Sequence, residues 1–323
     1  MDKAVAFLKS RKVDGSEWQY DEKYLLQTLK FIPSAKVSLK NVEKIAEDFA
    51  LHMGATGPAT VTPIFEEGKI QLTWLKDSIT SQYLPIHPIP YSLPLGILAD
   101  GRHKSLSLPK SPHIIVAGTT GSGKSYWMHT AIRWAISQGI HVFGIDPKFG
   151  EFAEYKREER FYHLPDGQIY NDVLDELIDT MNSNYEQMAA AKVKNIQDWE
   201  YSPSPHLLII DELADIVLTH GKDFLKKLQL LAQKGRAAGF HIIAATQSPT
   251  AKLLSGELKA NFPVRIAFKT ANATASKIIL DIAGAEKLAG AGDGLCIAED
   301  GNLIRFKGYK LSSSQIISSH WRN

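Results

Sequence analysis

The 323-residue sequence contains a single cysteine, Cys296. One thiol cannot form an intrachain disulfide, and it excludes a zinc site built from several cysteines. The eleven histidines show no H-E-x-x-H or other metal-binding spacing. We therefore expect a reducing, cytoplasmic setting, in which Cys296 is a small core residue and not a nucleophile.

The sequence also lacks long hydrophobic runs. No uninterrupted apolar stretch approaches the about 18 residues that suggest a transmembrane helix. Residues 1–15 have too short an apolar core for a signal peptide. We therefore predict no integral membrane segment, although a partner could still anchor the chain at a membrane.

Excess charge of one sign is missing as well. The formal net charge is only +2, and charged residues make up 22% of the chain. A dedicated nucleic-acid module is often far more basic, so this balance argues against DNA binding over the whole surface. It leaves open a local basic stripe that lines a channel.

The first part of the chain is predicted to form a small α/β domain. Residues 42–51 have the apolar spacing of an amphipathic helix, and Gly54 follows as a stop signal. Residues 59–65 and 70–74 are typical of two strands, and the turn between them indicates a hairpin.

A proline-rich segment then favours a linker, because proline cannot continue a helix. Its prolines are Pro85, Pro88, Pro90 and Pro94. With 323 residues, two domains are the natural expectation. We predict an N-terminal domain with linker (residues 1–90), a larger domain (91–311) and a C-terminal tail (312–323).

The larger domain alternates short apolar runs with helical stretches. The apolar runs are at residues 113–117, 141–145, 207–210, 241–245 and 264–268. Uninterrupted apolar runs are typical of strands that are buried on both faces. The alternation predicts a three-layer α/β fold with a mainly parallel central sheet.

A glycine-rich motif opens the first of these strand–helix units. Residues 118–125 match the pattern G-x-x-x-x-G-K-[ST], with a predicted strand before it and a helix after it. Glycines let successive N–H groups face phosphate, and the helix start adds a positive end. We predict ATP binding by Gly118, Thr119, Thr120, Gly121, Ser122, Gly123, Lys124, Ser125 and Tyr126.

Two residues of this motif have expected roles in chemistry. Lys124 would reach the β- and γ-phosphate oxygens, and the Ser125 hydroxyl would hold Mg²⁺, which prefers oxygen ligands. The alternative interpretation of the motif is a structural turn.

The apolar run 207–210 ends in Asp211 and Glu212. Asp211 would organise Mg²⁺ through its water shell, and Glu212 would activate the attacking water as general base. The alternative is an acidic helix cap. Two acids in sequence favour hydrolysis over phosphoryl transfer to a second substrate.

Other polar residues follow predicted strands or lie near their ends. Residues 146–148 (Asp-Pro-Lys) either lie near the nucleotide or form a plain turn. Gln247 is either a γ-phosphate sensor that positions water or an ordinary loop residue. Arg236 and Arg265 either stabilise the transferring phosphate, often from a neighbouring subunit, or form surface salt bridges.

Taken together, the motifs resemble the motor region of the FtsK/SpoIIIE family of P-loop ATPases. The resemblance covers residues 92–311 and, more weakly, residues 40–75. The matching motifs occur in order at residues 112–125, 145–148, 209–215, 231–239, 245–249, 259–268, 284–288 and 292–294. It implies a RecA-like motor domain preceded by a smaller α/β domain.

The resemblance implies a hexameric ring that passes double-stranded DNA through its centre while it hydrolyses ATP. Lys124, Glu212 and Gln247 would be catalytic. Arg236 is the first choice for an arginine finger acting on the neighbouring subunit, with Arg265 second.

The same resemblance assigns DNA contacts to the loop after Gln247 and to residues 270–277. The family commonly has arginine where this chain has Ser248, lysine where it has Ala273, and arginine where it has Lys277. Each lost cation weakens phosphate contacts. We therefore expect a weaker grip on DNA, or a grip supplied by other lysines; the candidate DNA-binding residues are Ser248, Lys252, Lys269 and Lys277, with Lys259 as a further cation.

The sequence shows no counterpart of the membrane-spanning region or the winged-helix domain of the chromosome-segregation members. We therefore expect a stripped motor like those of plasmids, conjugative elements or phages, with a relaxase or similar partner for targeting.

Three further functions stay open beside DNA translocation. One is a coupling ATPase that delivers DNA to a relaxase, secretion or packaging apparatus. Another is a nucleotide-dependent assembly switch, against which Glu212 and Gln247 argue, because a switch needs no water-activating base. The last, a small-molecule kinase, lacks a recognisable acceptor-binding lid.

Overall fold

The computed structural model describes residues 1–22, 26–55, 59–75, 91–164, 169–200 and 202–309. Their strands form two separate sheets, one of four strands and one of ten. The predicted linker prolines Pro85, Pro88 and Pro90, the division at residue 90 and the tail 312–323 lie outside the described residues. Pro94 lies in a strand of the larger sheet. The domain boundaries therefore stay predictions.

The four-stranded sheet belongs to the N-terminal part of the chain. Its elements are α1 (Asp2–Ser10), β1 (Gly15–Glu22), β2 (Leu26–Pro33), α2 (Leu39–His52), β3 (Thr60–Ile64) and β4 (Lys69–Leu75). The strand order is β1-β2-β4-β3, with antiparallel neighbours throughout. The predicted helix and hairpin correspond to α2 and β3–β4, whereas α1, β1 and β2 were not predicted.

A core of its own stabilises this small sheet. Phe49 of α2 meets Trp74 of β4 edge to face, with ring centroids 5.0 Å apart, and both side chains are fully buried. Ser38 caps α2 by accepting a hydrogen bond from the Asn41 backbone N–H at 3.3 Å. The apolar face of α2 therefore fixes the helix on the sheet.

The ten-stranded sheet begins with β5 at Ser92. Its elements are β5 (Ser92–Leu98), β6 (His103–Ser107), β7 (His113–Ala117), α3 (Lys124–Ser137), β8 (His141–Ile145), β9 (Phe161–Leu164), α4 (Tyr170–Ala190), β10 (His206–Ile210), α5 (Leu213–Lys234), β11 (Phe240–Thr246), α6 (Gly256–Asn261), β12 (Val264–Phe268), α7 (Ala273–Leu280), β13 (Asp293–Ile297) and β14 (Leu303–Lys307).

The strand order of this sheet is β6-β5-β14-β13-β12-β7-β11-β10-β8-β9. All neighbours from β12 to β9 are parallel, and all neighbours from β6 to β12 on the other side are antiparallel. The five predicted strands are β7, β8, β10, β11 and β12, so the expected parallel core is confirmed. The antiparallel extension and β9 are additional.

Helices cover both faces of the sheet, as a three-layer fold requires. Alternate residues of β7 point to opposite faces: Ile115 joins the core under α4 and α5, and Ile114 joins the core under α3. All five residues of β7 are buried, which agrees with the prediction of strands covered on both faces. The carboxyl ends of the parallel strands therefore lie along one edge of the sheet, across the strand ends, and the sequence motifs meet there.

Histidines mark the opposite edge, near the start of four adjacent strands. They are His113 on β7, His241 on β11, His206 on β10 and His141 on β8. The His206 ring stacks on Phe240, with ring centroids 4.7 Å apart. Burial lowers the pKa of His113 to about 3 and the pKa values of His206 and His241 to about 4. We call His113, His206 and His241 the histidine row; these three are neutral at physiological pH.

Cys296 is buried in β13, and burial raises the pKa of its thiol. A protonated, inaccessible thiol is a poor nucleophile, which confirms its expected place in the core.

Among the helices in the described part of the chain, none has both the length and the apolar character needed to cross a membrane.

Candidate nucleotide-binding and hydrolysis site

The phosphate loop connects β7 to α3. Gly121 and Gly123 both have positive φ values, 75° and 108°, in a region that L-residues rarely adopt. A Cβ atom on Gly123 would also overlap the backbone of Gly292. The two glycines are therefore required by the backbone, and α3 begins directly after them at Lys124.

Neighbouring strand ends hold this loop in place. The backbone N–H and the hydroxyl of Thr119 donate to the Lys269 carbonyl oxygen at 2.9 and 3.0 Å. On the other side, the Gly292 N–H donates to the Ser122 carbonyl oxygen at 2.7 Å. These contacts tie the loop to the segments that follow β12 and precede β13, both of which contain predicted motifs.

The lysine of the motif pairs with the aspartate that follows β10. Lys124 Nζ donates to Asp211 Oδ1 at 3.0 Å and to the Asp211 carbonyl oxygen at 3.1 Å. Both residues are only 4% exposed. The structure thus brings together the two halves of the predicted site, and each side chain compensates the buried charge of the other.

Glu212 is fixed by the neighbouring strand β11. Its Oε1 accepts a hydrogen bond from the Thr246 hydroxyl at 2.5 Å, and its Oε2 accepts one from the Gln247 backbone N–H at 2.8 Å. The side chain is 3% exposed. Thr246 was not among the predicted site residues; its position immediately before Gln247, at the end of a predicted strand, was the available signal.

Gln247 links this carboxylate to the phosphate loop. Its Oε1 accepts a hydrogen bond from the Thr120 hydroxyl at 3.0 Å, while its backbone contacts Glu212. Beside it lies a pocket of about 260 Å³. The pocket is lined by Gly118, Thr119, Gln247, Ser248, Pro249, Thr250, Thr270, Ala271 and Ala275. The loops after β11 and β12 therefore adjoin the phosphate loop directly.

The Asp-Pro-Lys segment after β8 organises the loop that follows it. Asp146 is fully buried, and its Oδ2 accepts from the Phe152 N–H at 3.1 Å and lies 3.3 Å from His163 Nε2. Lys148 forms an ion pair of 3.3 Å with Asp215 on α5. These contacts support the structural interpretation of the segment and leave a nucleotide role as a prediction.

The loop after Asp146 brings Glu151 beside the phosphate loop. Burial raises the pKa of Glu151, and the Ser125 hydroxyl opposes part of that rise. His129, one helical turn after Ser125, has Nε2 3.7 Å from Glu151 Oε1. Burial lowers the pKa of His129 to about 4. Glu151 and His129 were not among the predicted site residues, because neither lies in a motif.

The two candidate finger arginines have different surroundings. Arg236 is exposed, and its Nε donates to the Pro109 carbonyl oxygen at 2.8 Å. It precedes β11, at the edge of the sheet opposite the phosphate loop. Arg265 lies on β12, and its Nη1 donates to Asp281 Oδ2 at 2.5 Å.

The candidate DNA-binding residues lie in the loops after β11 and β12 and on α7. Ser248, Lys252 and Lys277 are exposed, whereas Lys269 is half-buried. Lys259 is engaged with Asp281, with Nζ 2.7 Å from Oδ1. The exposed candidates therefore retain free cations at Lys252 and Lys277, as far as the described residues extend.

The oxygen atoms at the loop fit the predicted magnesium ion. The Ser125 hydroxyl and the Asp211 carboxylate are hard ligands of the kind that Mg²⁺ prefers. Within the described residues, no three His, Cys, Asp or Glu side chains form a metal-binding group.

Comparison with known proteins extends these observations. The model of the FtsK/SpoIIIE family matches residues 76–204 and 197–251, which together make up more than half of the chain. A DNA translocase FtsK of Mycobacterium tuberculosis is 34% identical over 274 residues, 76% of this chain and 33% of that protein. The DNA translocase SftA of Bacillus subtilis is 30% identical over 318 residues, 90% of this chain and 33% of that protein. The chain thus spans about a third of the length of these relatives.

Solved structures with a similar fold include a conjugation coupling protein and a secretion ATPase. The pCW3 conjugation coupling protein TcpA, in a monomer form with ATPγS, has a TM-score of 0.73 and 20% identity. That match covers 97% of this chain and 95% of TcpA. The cytoplasmic domain of the Thermomonospora curvata type VII secretion ATPase EccC has a TM-score of 0.63 and 20% identity, covering 74% of this chain and 32% of that one.

Proposed function

Because the chain belongs to the FtsK/SpoIIIE family, we propose that it hydrolyses ATP to translocate double-stranded DNA. The observation that carries the proposal is the seating of Glu212. Its carboxylate is held by Thr246 and Gln247 beside the buried Lys124–Asp211 pair. A fixed, buried carboxylate next to a phosphate loop is what the activation of an attacking water requires.

Each residue of the site has a separate proposed role in ATP hydrolysis. Lys124 would bind the β- and γ-phosphate oxygens, Ser125 would hold Mg²⁺, and Asp211 would organise its water shell. The ion would neutralise phosphate charge. Glu212 would accept the proton of the attacking water, and Gln247, which contacts Thr120 of the phosphate loop, would sense the γ-phosphate or position the water.

The loop after β11 provides a route from nucleotide to DNA. Gln247 contacts both Glu212 and Thr120, and Ser248 and Lys252 follow it in the same loop. A change in phosphate occupancy that moves Thr120 or Glu212 therefore shifts the start of a segment that carries a candidate DNA contact. These contacts would couple ATP hydrolysis to DNA binding.

A ring of subunits, hexameric as in the family resemblance, completes the site. Arg236 is exposed and held only by the Pro109 carbonyl oxygen among the contacts the structure describes. It is available to a neighbouring subunit, where its guanidinium would stabilise charge on the transferring phosphate.

A coupling role in conjugation is the second candidate. The fold of TcpA matches over nearly the full length of both chains, whereas the curated translocases are about three times as long as the matched segment. In that role the motor would pass DNA to or from a relaxase.

The test is ATP hydrolysis by the purified chain with and without linear duplex DNA, at low and moderate salt. Lys124→Ala and Glu212→Gln serve as matched variants. We expect DNA to stimulate turnover and both variants to abolish it, with Glu212→Gln still binding nucleotide. Turnover that is indifferent to DNA at both salt concentrations would exclude translocation by this chain and favour the assembly switch.

A second measurement separates the two candidates. Triplex displacement on linear duplex reports translocation by the chain alone. Displacement without a partner supports the translocase, whereas displacement only after addition of a relaxase–DNA complex supports the coupling role.

A further inference from the structure

One face of α3 carries three polar side chains at intervals of one helical turn. Ser125, His129 and Arg133 are spaced i, i+4 and i+8, so they lie on the same side of the helix. The loop between β8 and β9 packs against this face and provides matching partners. They are Glu151, Glu154, Tyr155 and Glu158.

The contacts fix the loop along the helix. His129 Nδ1 lies 2.9 Å from the Tyr155 hydroxyl and 3.1 Å from Glu154 Oε1, and Arg133 Nη1 donates to Glu158 Oε1 at 2.6 Å. The Tyr155 ring is fully buried. These contacts anchor the loop, so packing fixes Glu151 against the face of α3 that begins with Ser125.

Glu151 itself is not satisfied by these contacts. Its Oε1 atom is buried and has no hydrogen-bond partner among the described residues. The nearest basic atom, His129 Nε2, is 3.7 Å away, beyond direct hydrogen-bond distance. A buried carboxylate oxygen without a donor is costly, so its retention beside the phosphate loop calls for an explanation.

The chemistry of a serine that binds a metal ion explains why Glu151 is retained at this position. A hydroxyl that binds a cation through its oxygen lone pair must direct its hydrogen to another acceptor. Asp211 is paired with Lys124 at 3.0 Å. Glu151 has a buried oxygen without a donor in the described part of the chain and lies against His129, one helical turn after Ser125 on the same face of α3. Acceptors behind a metal ligand orient the ligand and raise its affinity for the metal.

We infer that Glu151 is a positioning residue that accepts the hydrogen of Ser125 and thereby directs the Ser125 oxygen toward Mg²⁺. The inference rests on the proposed binding of magnesium nucleotide at the phosphate loop. We call the polar side chains of this face of α3 and of the loop packed on it the ladder; His129, Arg133, Glu154, Tyr155 and Glu158 keep the Glu151 carboxylate in place.

The test measures binding, not turnover. The affinity of the full chain for a fluorescent ADP is titrated in Mg²⁺ and in EDTA, for the wild type and for Glu151→Ala, Glu151→Gln and Glu154→Gln. Glu154→Gln is the control, because Glu154 lies in the same ladder one residue before Tyr155 but contacts His129 and not Ser125. Thermal melting checks that each variant is folded.

The Mg²⁺ gain is the ratio of nucleotide affinity in Mg²⁺ to nucleotide affinity in EDTA. We expect this ratio to be about tenfold or more lower in Glu151→Ala than in the wild type, with affinity in EDTA unchanged. Glu151→Gln keeps an acceptor oxygen and should lose less, and Glu154→Gln should retain the full gain. If Glu151→Ala is unfolded, the nearly isosteric Glu151→Gln variant provides the measurement.

A double-mutant cycle separates positioning from mere packing. In a Ser125→Ala background, removal of Glu151 should have no further effect on the Mg²⁺ gain. A full Mg²⁺ gain in folded Glu151→Ala, or additive effects with Ser125→Ala, would overturn the inference while leaving the proposed function intact. Absence of any Mg²⁺-dependent nucleotide binding by the wild type would overturn both.

Discussion

Lys124 and Asp211 form a buried ion pair across the phosphate loop, with Nζ 3.0 Å from Oδ1. The lysine that would bind phosphate thus neutralises the carboxylate that would face the metal. If the site binds a magnesium nucleotide as proposed, Lys124 would turn to the phosphates and Asp211 to the water shell of the metal, and their mutual contact would be released.

The first prediction concerns the cost of breaking this pair. Lys124→Ala leaves Asp211 as an uncompensated buried charge, so we expect a loss of about 3 kcal/mol in the free energy of unfolding. Adding Asp211→Asn to that variant should recover most of the loss, because the remaining group is neutral. Urea unfolding without nucleotide measures both effects; equal stability of Lys124→Ala and wild type would contradict the prediction.

The second prediction concerns Thr246, whose hydroxyl donates to Glu212 at 2.5 Å. Thr246→Val removes this donor and leaves the volume nearly unchanged. We expect kcat for ATP to fall about ten- to a hundred-fold with KM little altered, because the general base loses its orientation. Thr246→Ser retains the hydroxyl and should stay close to wild type, and a large rise in KM in Thr246→Val would point to a binding role instead.

The third prediction distinguishes the two arginines. Arg236 is exposed, whereas Arg265 is partly buried and paired with Asp281. We expect Arg236→Ala to melt like the wild type yet lose about a thousandfold in turnover. Arg265→Ala should lower the melting temperature, because Asp281 loses a partner and β12 loses packing.

Mixing provides the control for action between subunits. Lys124→Ala retains the arginine and Arg236→Ala retains the phosphate loop, so mixed oligomers should regain part of the activity that each lacks alone. No recovery in verified mixed oligomers would count against Arg236 as the finger.

The fourth prediction concerns salt and DNA. Lys252 and Lys277 are exposed near the loops after β11 and β12. If each contacts a phosphate of duplex DNA, its replacement by alanine should reduce the slope of log affinity against log salt by about 0.9. Lys234 is equally exposed but lies at the opposite edge of the sheet, so Lys234→Ala should leave the slope unchanged. Equal slopes in all four proteins would place the DNA elsewhere.

The fifth prediction follows from the histidine row. The pKa values of His113, His206 and His241 are about 3, 4 and 4 in the fold, against about 6.5 in an unfolded chain. The unfolded state therefore binds more protons, so stability is full above pH 6.5 and falls as the pH drops toward 4.

At pH 5, each of these histidines should lower the free energy of unfolding by about 2 kcal/mol relative to pH 7.5. His206→Phe keeps the stacking on Phe240 and removes one titrating group, so the pH dependence of urea unfolding should become shallower. An unchanged pH dependence in this variant would show that His206 is not protonated on unfolding.

Much of the site could be predicted from the sequence because its groups lie next to one another in the chain or at strand ends. The phosphate loop is defined by local glycines, and parallel strands bring Asp211 and Gln247 to the same edge. The ion pair between Lys124 and Asp211 was not predicted, because it depends on side-chain geometry that the topology does not determine.

The residues that were missed depend on contacts between distant parts of the chain. Glu151 reaches Ser125 only because Tyr155 and Glu158 fix the intervening loop on α3. The antiparallel strands were missed for a related reason. β14 pairs with β5, and nothing in either short segment identifies its partner.

The place of β14 between β13 and β5 has a consequence for synthesis. A ribosome releases the β5–β6 hairpin early, and the hairpin can rest on α3, where the Trp127 indole N–H donates to the Leu95 carbonyl oxygen at 3.1 Å. It cannot join the sheet until β14 emerges, and β14 is the last strand to be made among the described residues. Pairing over so long a stretch of chain is slow. One edge of β5 therefore stays without its partner strand until synthesis has passed residue 307.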